Sequence, residues 1–300
     1  MKFIQLTQNV YYFHSAVNIG YITKDGKGLL IDTGIDSSAI KKVIKQLSEQ
    51  NLPLDFALIT HAHADHMGGA KFLKQLRDVE LYAPDFERAI MENTLLEPIY
   101  LWNGAEPLEE LKNKFLLAPS VRLDASIPVE DFVNIGPFTL KTHFLPGHSY
   151  GQVGISYENI LFAADAFFGQ DVLHKHKIPF IVSVKNTMNS LHKLMKTNFD
   201  GAVPGHGLFE ENYIETVSKN LALHESILTE ISEHIQEKQG VSFQALQQYI
   251  LSKKKIEVPH LTSWLLFRTS VTAYVTHLVD KGRFQLTIQQ NELMVYCLDS

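Results

Sequence analysis

Four groups able to bind a metal ion, His61, His63, Asp65 and His66, fall within the stretch LITHAHADHMGG, Leu58 to Gly69. A fold that accepts this run must bring all four side chains to one place beside a buried strand. Phe56 to Ile59, just ahead of it, is apolar enough for such a strand, and a helix-like segment opens near Ala70. His61 and His63 are two residues apart, so at the end of an extended segment both imidazoles emerge on one side. Asp65 and His66 can then face a second point further on. The paired glycines, Gly68 and Gly69, let the backbone turn tightly and approach a bound ion. Three imidazoles and a carboxylate suit zinc, which takes nitrogen and oxygen ligands. The competing reading, a polar loop with an accidental histidine cluster, fits poorly beside a buried strand.

The chain ahead of this run alternates strands and a helix. Val10 to Phe13, Ile19 to Thr23 and Leu29 to Asp32 read as strands, with Asp25-Gly26 as a hairpin turn. Asp36, Ser37 and Ser38 offer caps for a helix whose Ile40, Val43, Ile44 and Leu47 share one face. Val79 to Ala83 is a further short strand. From 85 to 126 the character changes. Glu87 to Leu96 and Leu108 to Leu117 read as helices separated by Pro98 to Gly104, an insert suited to wall a site or to pack a core. Thr139 to Leu145, Val153 to Tyr157 and Ile160 to Ala163 resume the strand pattern, with Glu158-Asn159 as a turn.

Three more candidate ligands stand where strands end. His148 follows Leu145-Pro146-Gly147, Asp165 follows Leu161 to Ala164, and His206 closes Ala202-Val203-Pro204-Gly205. Each alone is weak, since a histidine after Pro-Gly is most often a loop residue. Together with the first cluster they are specific.

The series THxHxDHxGG, PGH, an Asp after an apolar strand, and PGHG resembles the metallo-β-lactamase-fold hydrolases over about residues 10 to 208. The resemblance implies an α+β fold, a four-layer αββα sandwich with ligands on loops at one edge. It implies two divalent metal ions, zinc above iron or manganese. His61, His63 and His148 would hold one ion. Asp65, His66 and His206 would hold the other, and Asp165 would bridge them. Asp32, at the end of an LIDTG strand, would lie beside the site and fix an imidazole tautomer; as a bare sequence feature it reads equally well as a turn carboxylate. The expected activity is a hydrolase in which a metal-bound hydroxide, oriented by Asp65, attacks a small ester, thioester or lactone, as in glyoxalase II relatives. The alternatives are a ribonuclease or phosphodiesterase of the same fold and a nucleic-acid-binding regulator. The lactonase branch carries a Tyr three residues after the bridging Asp. Phe168 stands there instead, and Tyr150 is the other nearby hydroxyl. The basic run His174 to Lys177 suits an anionic substrate tail or a solvated loop.

Beyond residue 208 the pattern turns helical, and the expected division is 1–208, catalytic, and 209–300, a small winged-helix-like unit. Tyr213, Val217, Leu221, His224, Leu228, Ile231 and Ile235 recur at helical spacing. Ser242 caps Phe243 to Leu251, a third helix runs from Leu261 to Asp280, and Arg283 to Ile288 and Glu292 to Leu298 form a hairpin through Gln290-Asn291. Residues 211–300 hold eight Lys plus Arg against ten Asp plus Glu, where a nucleic-acid reader should present a basic face. Shaping a pocket or a homodimer contact is therefore the expected role. The net charge of −6 gives no general attraction to polyanions. The single cysteine, Cys297, excludes an internal disulfide framework. The first residues lack the apolar core of a signal peptide and no segment suits a bilayer, so a cytoplasmic protein with a small-molecule substrate is the expectation.

Overall fold

A computed structural model describes residues 1–298. Its first sheet opens with β1 (Lys2–Gln5), β2 (Val10–His14), β3 (Ile19–Lys24) and β4 (Lys27–Ile31), paired antiparallel in that order. Asp25 and Gly26, with φ of 49° and 72°, make the two-residue turn between β3 and β4. This double left-handed geometry matches the twist of the flanking strands. Helix α1 (Ser37–Glu49) is capped by Asp36, whose carboxylate accepts from the Ser38 and Ala39 amides, and it buries Ile40, Val43 and Leu47. The chain then runs through β5 (Phe56–Leu58), α2 (Ala64–Met67), α3 (Ala70–Leu76) and β6 (Glu80–Pro84). Strands β4, β5 and β6 pair in parallel, so the ends of β4 and β5 lie side by side at one edge.

The segment 85–126 departs from its sequence pattern. Helix α4 covers Asp85–Glu92, and α5 covers Leu96–Leu101, across part of the stretch expected to be a connection. Pro98 is tolerated because it sits in the first turn, where its missing N–H costs no helical bond. The expected helix over Leu108 to Leu117 is only a 3-10 turn, Glu109–Leu111. Leu111 and Leu116 are drawn into an apolar cluster with Leu101 and Leu265, and that tertiary burial replaces the helical repeat. Strand β7 (Ala125–Ile127) closes the first sheet parallel to β6.

The second sheet contains β8 (Phe132–Ile135), β9 (Phe138–Phe144), β10 (Val153–Tyr157), β11 (Ile160–Ala164) and, after helices α6 (Gln170–Leu173) and α7 (Val184–Leu194), β12 (Gly201–Pro204). Its order is β12-β11-β10-β9-β8, with only β11 and β12 parallel. Inward residues of both sheets, among them Ile22, Leu29, Ile31, Phe138, Ile155 and Phe162, form one core. The outer face of the first sheet packs on α1, α2 and α3 through Ile40, Val43, Met67 and Leu73. The outer face of the second is covered by Leu191 and Leu194 of α7 and by Tyr213 and Val217. These layers make an α+β sandwich, helix on sheet on sheet on helix.

Helix α8 (Tyr213–Lys238) spans two environments. Its first half completes the outer layer, while Ile227, Ile231 and Ile235 join a separate core. That core adds β13 (Val241–Ser242), α9 (Phe243–Lys253), α10 (Leu261–Asp280), β14 (Phe284–Gln289) and β15 (Glu292–Cys297). Strand order is β13-β15-β14, and Gln290 and Asn291 turn the hairpin with φ of 51° and 63°. Ser242 caps α9 by accepting from the Ala245 amide. Among the described residues no helix is long and apolar enough to cross a membrane.

Candidate metal centre

Strand ends deliver the seven candidate ligands to one edge of the sandwich. His61 and His63 follow β5, Asp65 and His66 lie in α2, His148 follows β9, Asp165 follows β11, and His206 follows β12. Ala164 takes φ 49° at a register shift between β11 and β12. A left-handed alanine costs on the order of 1–3 kcal/mol, and the bulge turns Asp165 off the strand and into the cluster. Gly205 has to lack a side chain, since a Cβ there would overlap the Asp165 carboxylate. The glycine pair serves a different end from the tight turn expected of it. Gly68 and Gly69 have ordinary helical dihedrals. A Cβ on either would strike the backbone carbonyls of Ile35 or Thr33, so they let α2 and α3 close onto the loop after β4.

Three ligand sets converge, each with its donor atoms within 4.8 Å of one another: His61, His63 and His148; Asp65, His66 and His206; and His61, His66 and Asp165. His63 Nδ1 lies 2.8 Å from His148 Nε2. Asp165 stands between the first two sets, with Oδ2 3.3 Å from both His148 Nε2 and His206 Nε2. His206 Nε2 is also 3.5 Å from Asp65 Oδ2.

The outer nitrogens are held by partners that fix which lone pair faces inward. His66 Nδ1 donates to Asp32 Oδ2 at 2.8 Å. Asp32 also accepts from the Thr60 amide and hydroxyl, and the Thr60 oxygen lies 3.1 Å from His61 Nδ1. His148 Nδ1 donates to the Phe180 carbonyl at 2.9 Å, and His206 Nδ1 to the Ala16 carbonyl at 2.8 Å. Asp32 itself has φ 66°, a region Asp tolerates better than most residues. Glu87 ties the first ligand loop to the second, since its carboxylate accepts from the Ala62 and Gly151 amides and from the Ser149 hydroxyl. Sequence reasoning placed Asp32 beside the site but missed Thr60 and Glu87. Thr60 stands next to the first ligand and was open to notice; Glu87 carried no local signal.

With these outer bonds made, His61 Nε2, His66 Nε2 and Asp165 Oδ1 are buried without a well-formed hydrogen bond, the last two facing each other at 3.2 Å. Burying such groups without full partners is expensive, and a divalent cation would satisfy all three. Their chemistry fits one, with imidazole nitrogens and carboxylate oxygens at the right reach. The electrostatics agree. Burial, with the neighbouring imidazoles, holds His61 well below the ordinary value and His63 down at about 3, and burial also lowers His148, so these three are neutral imidazoles able to ligate a metal. Burial would lower His66 and His206 too, but the facing carboxylates outweigh it. Asp165, Asp32 and Asp65 raise His66, while Asp165 and Asp65 raise His206 to about 10. The cluster thus presents carboxylate charge that a cation would neutralise.

The centre opens into a mouth of about 290 Å³ lined in part by His63, Asp65, Glu97, Phe168, His176 and Leu266. His63 and Glu97 also line an adjoining cavity of about 640 Å³, walled by α4, α5 and α10. The insert and the C-terminal helix α10 therefore build its walls. Tyr150, largely exposed, packs its ring near Phe86 on that wall at 5.6 Å. His176 alone of the basic run reaches the centre's mouth, where it stacks on Phe168 at 3.7 Å. Lys177 is turned away and donates to the Lys254 and Lys255 carbonyls.

Residues 13–206 match the family model described as the metallo-beta-lactamase superfamily. The probable metallo-hydrolase YqgX of Bacillus subtilis is 29% identical over 156 residues, covering 52% of this chain and 65% of that protein. The probable metallo-hydrolase MJ0888 of Methanocaldococcus jannaschii is 26% identical over 192 residues, 62% of this chain and 86% of that one. A beta-lactamase domain protein of Burkholderia ambifaria superposes with a TM-score of 0.73 at 16% identity, covering 99% of this chain and 93% of its own. The family model spans well over half of the chain, and the chain belongs to the metallo-beta-lactamase superfamily.

Proposed function

We propose that this chain is a dinuclear metal-dependent hydrolase acting on a small ester, thioester or lactone. The observation that carries the proposal is the pair of ligand sets with inward lone pairs opening onto a cavity of about 640 Å³, within the size range of small-molecule sites. His61, His63 and His148 would hold one ion and Asp65, His66 and His206 the other, with Asp165 available to both sets. Bound there, two divalent ions supply Lewis acidity and lower the pKa of water from about 15.7 toward neutrality. Asp65 lines the mouth, where its carboxylate can orient the attacking water and accept its proton. The oxygen of that water bonds to the acyl carbon, the C–O or C–S bond breaks, and the leaving alkoxide or thiolate takes up a proton. Thr60, Asp32 and Glu87 keep the ligand loops in register throughout. A 134-residue stretch 31% identical to hydroxyacylglutathione hydrolase 1 of Vibrio vulnificus supports the thioester end of this range.

Phosphodiester cleavage is the second reading. An 80-residue stretch is 32% identical to the exodeoxyribonuclease WalJ of Streptococcus pneumoniae. A basic hollow formed in part by His174, Lys177 and Lys254 also adjoins the mouth through His176. Against a regulator that reads nucleic acid with its C-terminal helices, α10 turns Thr269, Thr272 and Thr276 into the cavity wall. Elemental analysis of the purified protein, then turnover of matched thioester, lactone and phosphodiester substrates with the metal it holds, tests the proposal. Two equivalents of a divalent metal and turnover of the acyl substrates are expected. Hydrolysis of the phosphodiester alone overturns the acyl reading.

A further inference from the structure

Glu97 is a buried carboxyl group whose partner the protein does not supply. It is only 5% exposed, yet its side chain faces both the mouth of the metal centre and the large cavity, at the point where the two meet. No donor among the described residues reaches its carboxyl group, and burial, with Asp65 and Glu87 nearby, raises it well above the ordinary carboxylate value. Its side chain lines the open cavity, and a positively charged group brought by the ligand would offset both the burial and the repulsion from Asp65 and Glu87. Glu87, the other carboxylate on that wall, is by contrast satisfied by Ala62, Ser149 and Gly151.

The surroundings specify the kind of partner. Phe86, Tyr100 and Tyr150 line the same cavity, and aromatic faces attract cations. Arg268, the guanidinium on the wall, already donates to the Leu101 carbonyl and the Asn103 side chain and lies over Trp264. It is thus committed to holding α5 against α10 and does not neutralise Glu97. We propose that Glu97 is a specificity residue that binds a protonated amino group of the substrate, with the apolar body of the substrate lying along Ile90, Ile99 and Ala273. Resting on the hydrolase reading above, this names its substrate class as amino-bearing acyl compounds.

Binding and turnover separate the two ideas. Calorimetry on the metal-loaded protein with n-hexylammonium, n-hexanol and n-hexanoate needs no hydrolysis. A charge-assisted hydrogen bond favours the ammonium over the alcohol by roughly 10-fold or more, and Glu97→Gln removes that preference while leaving hexanol binding in place. Alcohol and ammonium binding equally, or a preference that survives in Glu97→Gln, overturns the assignment. If that variant does not fold, the wild-type ranking decides alone. Paired thioesters differing only by an amino group in the acyl chain then extend the test to kcat/KM. Amine binding without turnover of either thioester leaves the Glu97 assignment standing and removes the hydrolase reading.

Discussion

Two groups of buried histidines sit in this molecule, and they differ in what surrounds them. At the sandwich edge, His61 and His66 are fully buried, each with an inward nitrogen that has no hydrogen-bond partner, and Asp165 lies beside them. In the C-terminal core, His224 is also buried, but its Nδ1 is 2.7 Å from the Tyr274 hydroxyl, and burial alone pushes it down to about 4. His234 has an unpartnered Nδ1 as well, yet its ring lies flat on Tyr249 at 3.4 Å instead of converging with other ligands. Burial pushes each of these histidines down, and at His66 the facing carboxylates outweigh it. What marks a ligand is the convergence of several lone pairs with carboxylates, which an apolar core does not provide.

Perturbing each group should move a different property. Replacing both His61 and His63 with Ala removes two of the three nitrogens of one set, so metal content falls and acyl hydrolysis drops by roughly 10³-fold or more, beyond the 10–100-fold usual for outer partners; retained turnover in the metal-free variant would refute the mechanism. Asp32→Asn keeps the left-handed backbone but presents the wrong hydrogen-bonding group to His66. It should lower metal affinity or activity by roughly 10–100-fold, read by competition with a chelator. In the C-terminal core the measurable quantity is stability. The folded His224 value lies below that of an unfolded histidine, so the unfolded chain takes up the proton first. Its contribution is complete above about pH 6.5 and is lost as pH falls toward about 4, amounting to about 2 kcal/mol between pH 7 and pH 5. Urea unfolding of His224→Gln should show a correspondingly shallower loss with no change in metal content. Ser242→Ala removes the cap of α9 and should cost about 1 kcal/mol, again with the metal unaffected. A Ser242 variant that loses metal would show the two regions to be coupled.

The ligand run was readable because its chemistry is local. Six residues carry four candidate ligands, and the later three each follow an apolar run, His148 and His206 through a Pro-Gly turn signal. The hairpin turns at Asp25-Gly26, Glu158-Asn159 and Gln290-Asn291 were readable for the same reason, and each adopts positive φ at both residues. Helix α10 also begins and ends where its apolar pattern does. Local pattern failed in the insert. Pro98 to Gly104 looked like a connection although its first four residues lie in α5, and Leu108 to Leu117 looked helical although Leu111 and Leu116 are buried against distant partners.

The sequence by itself determined the ligand types, their order and the strand ends that carry them, because periodicity and turn chemistry act over a few residues. Only the tertiary structure decided that β4, β5, β9, β11 and β12 end at one edge, that Thr60 joins Asp32 behind the imidazoles, that Glu87 ties two ligand loops together, and that α5 and α10 close a cavity over Glu97. Those outcomes depend on contacts between residues far apart in the chain, such as His206 Nδ1 and the Ala16 carbonyl, 190 positions apart. No short-range pattern encodes them, since packing of whole layers selects among many locally acceptable arrangements.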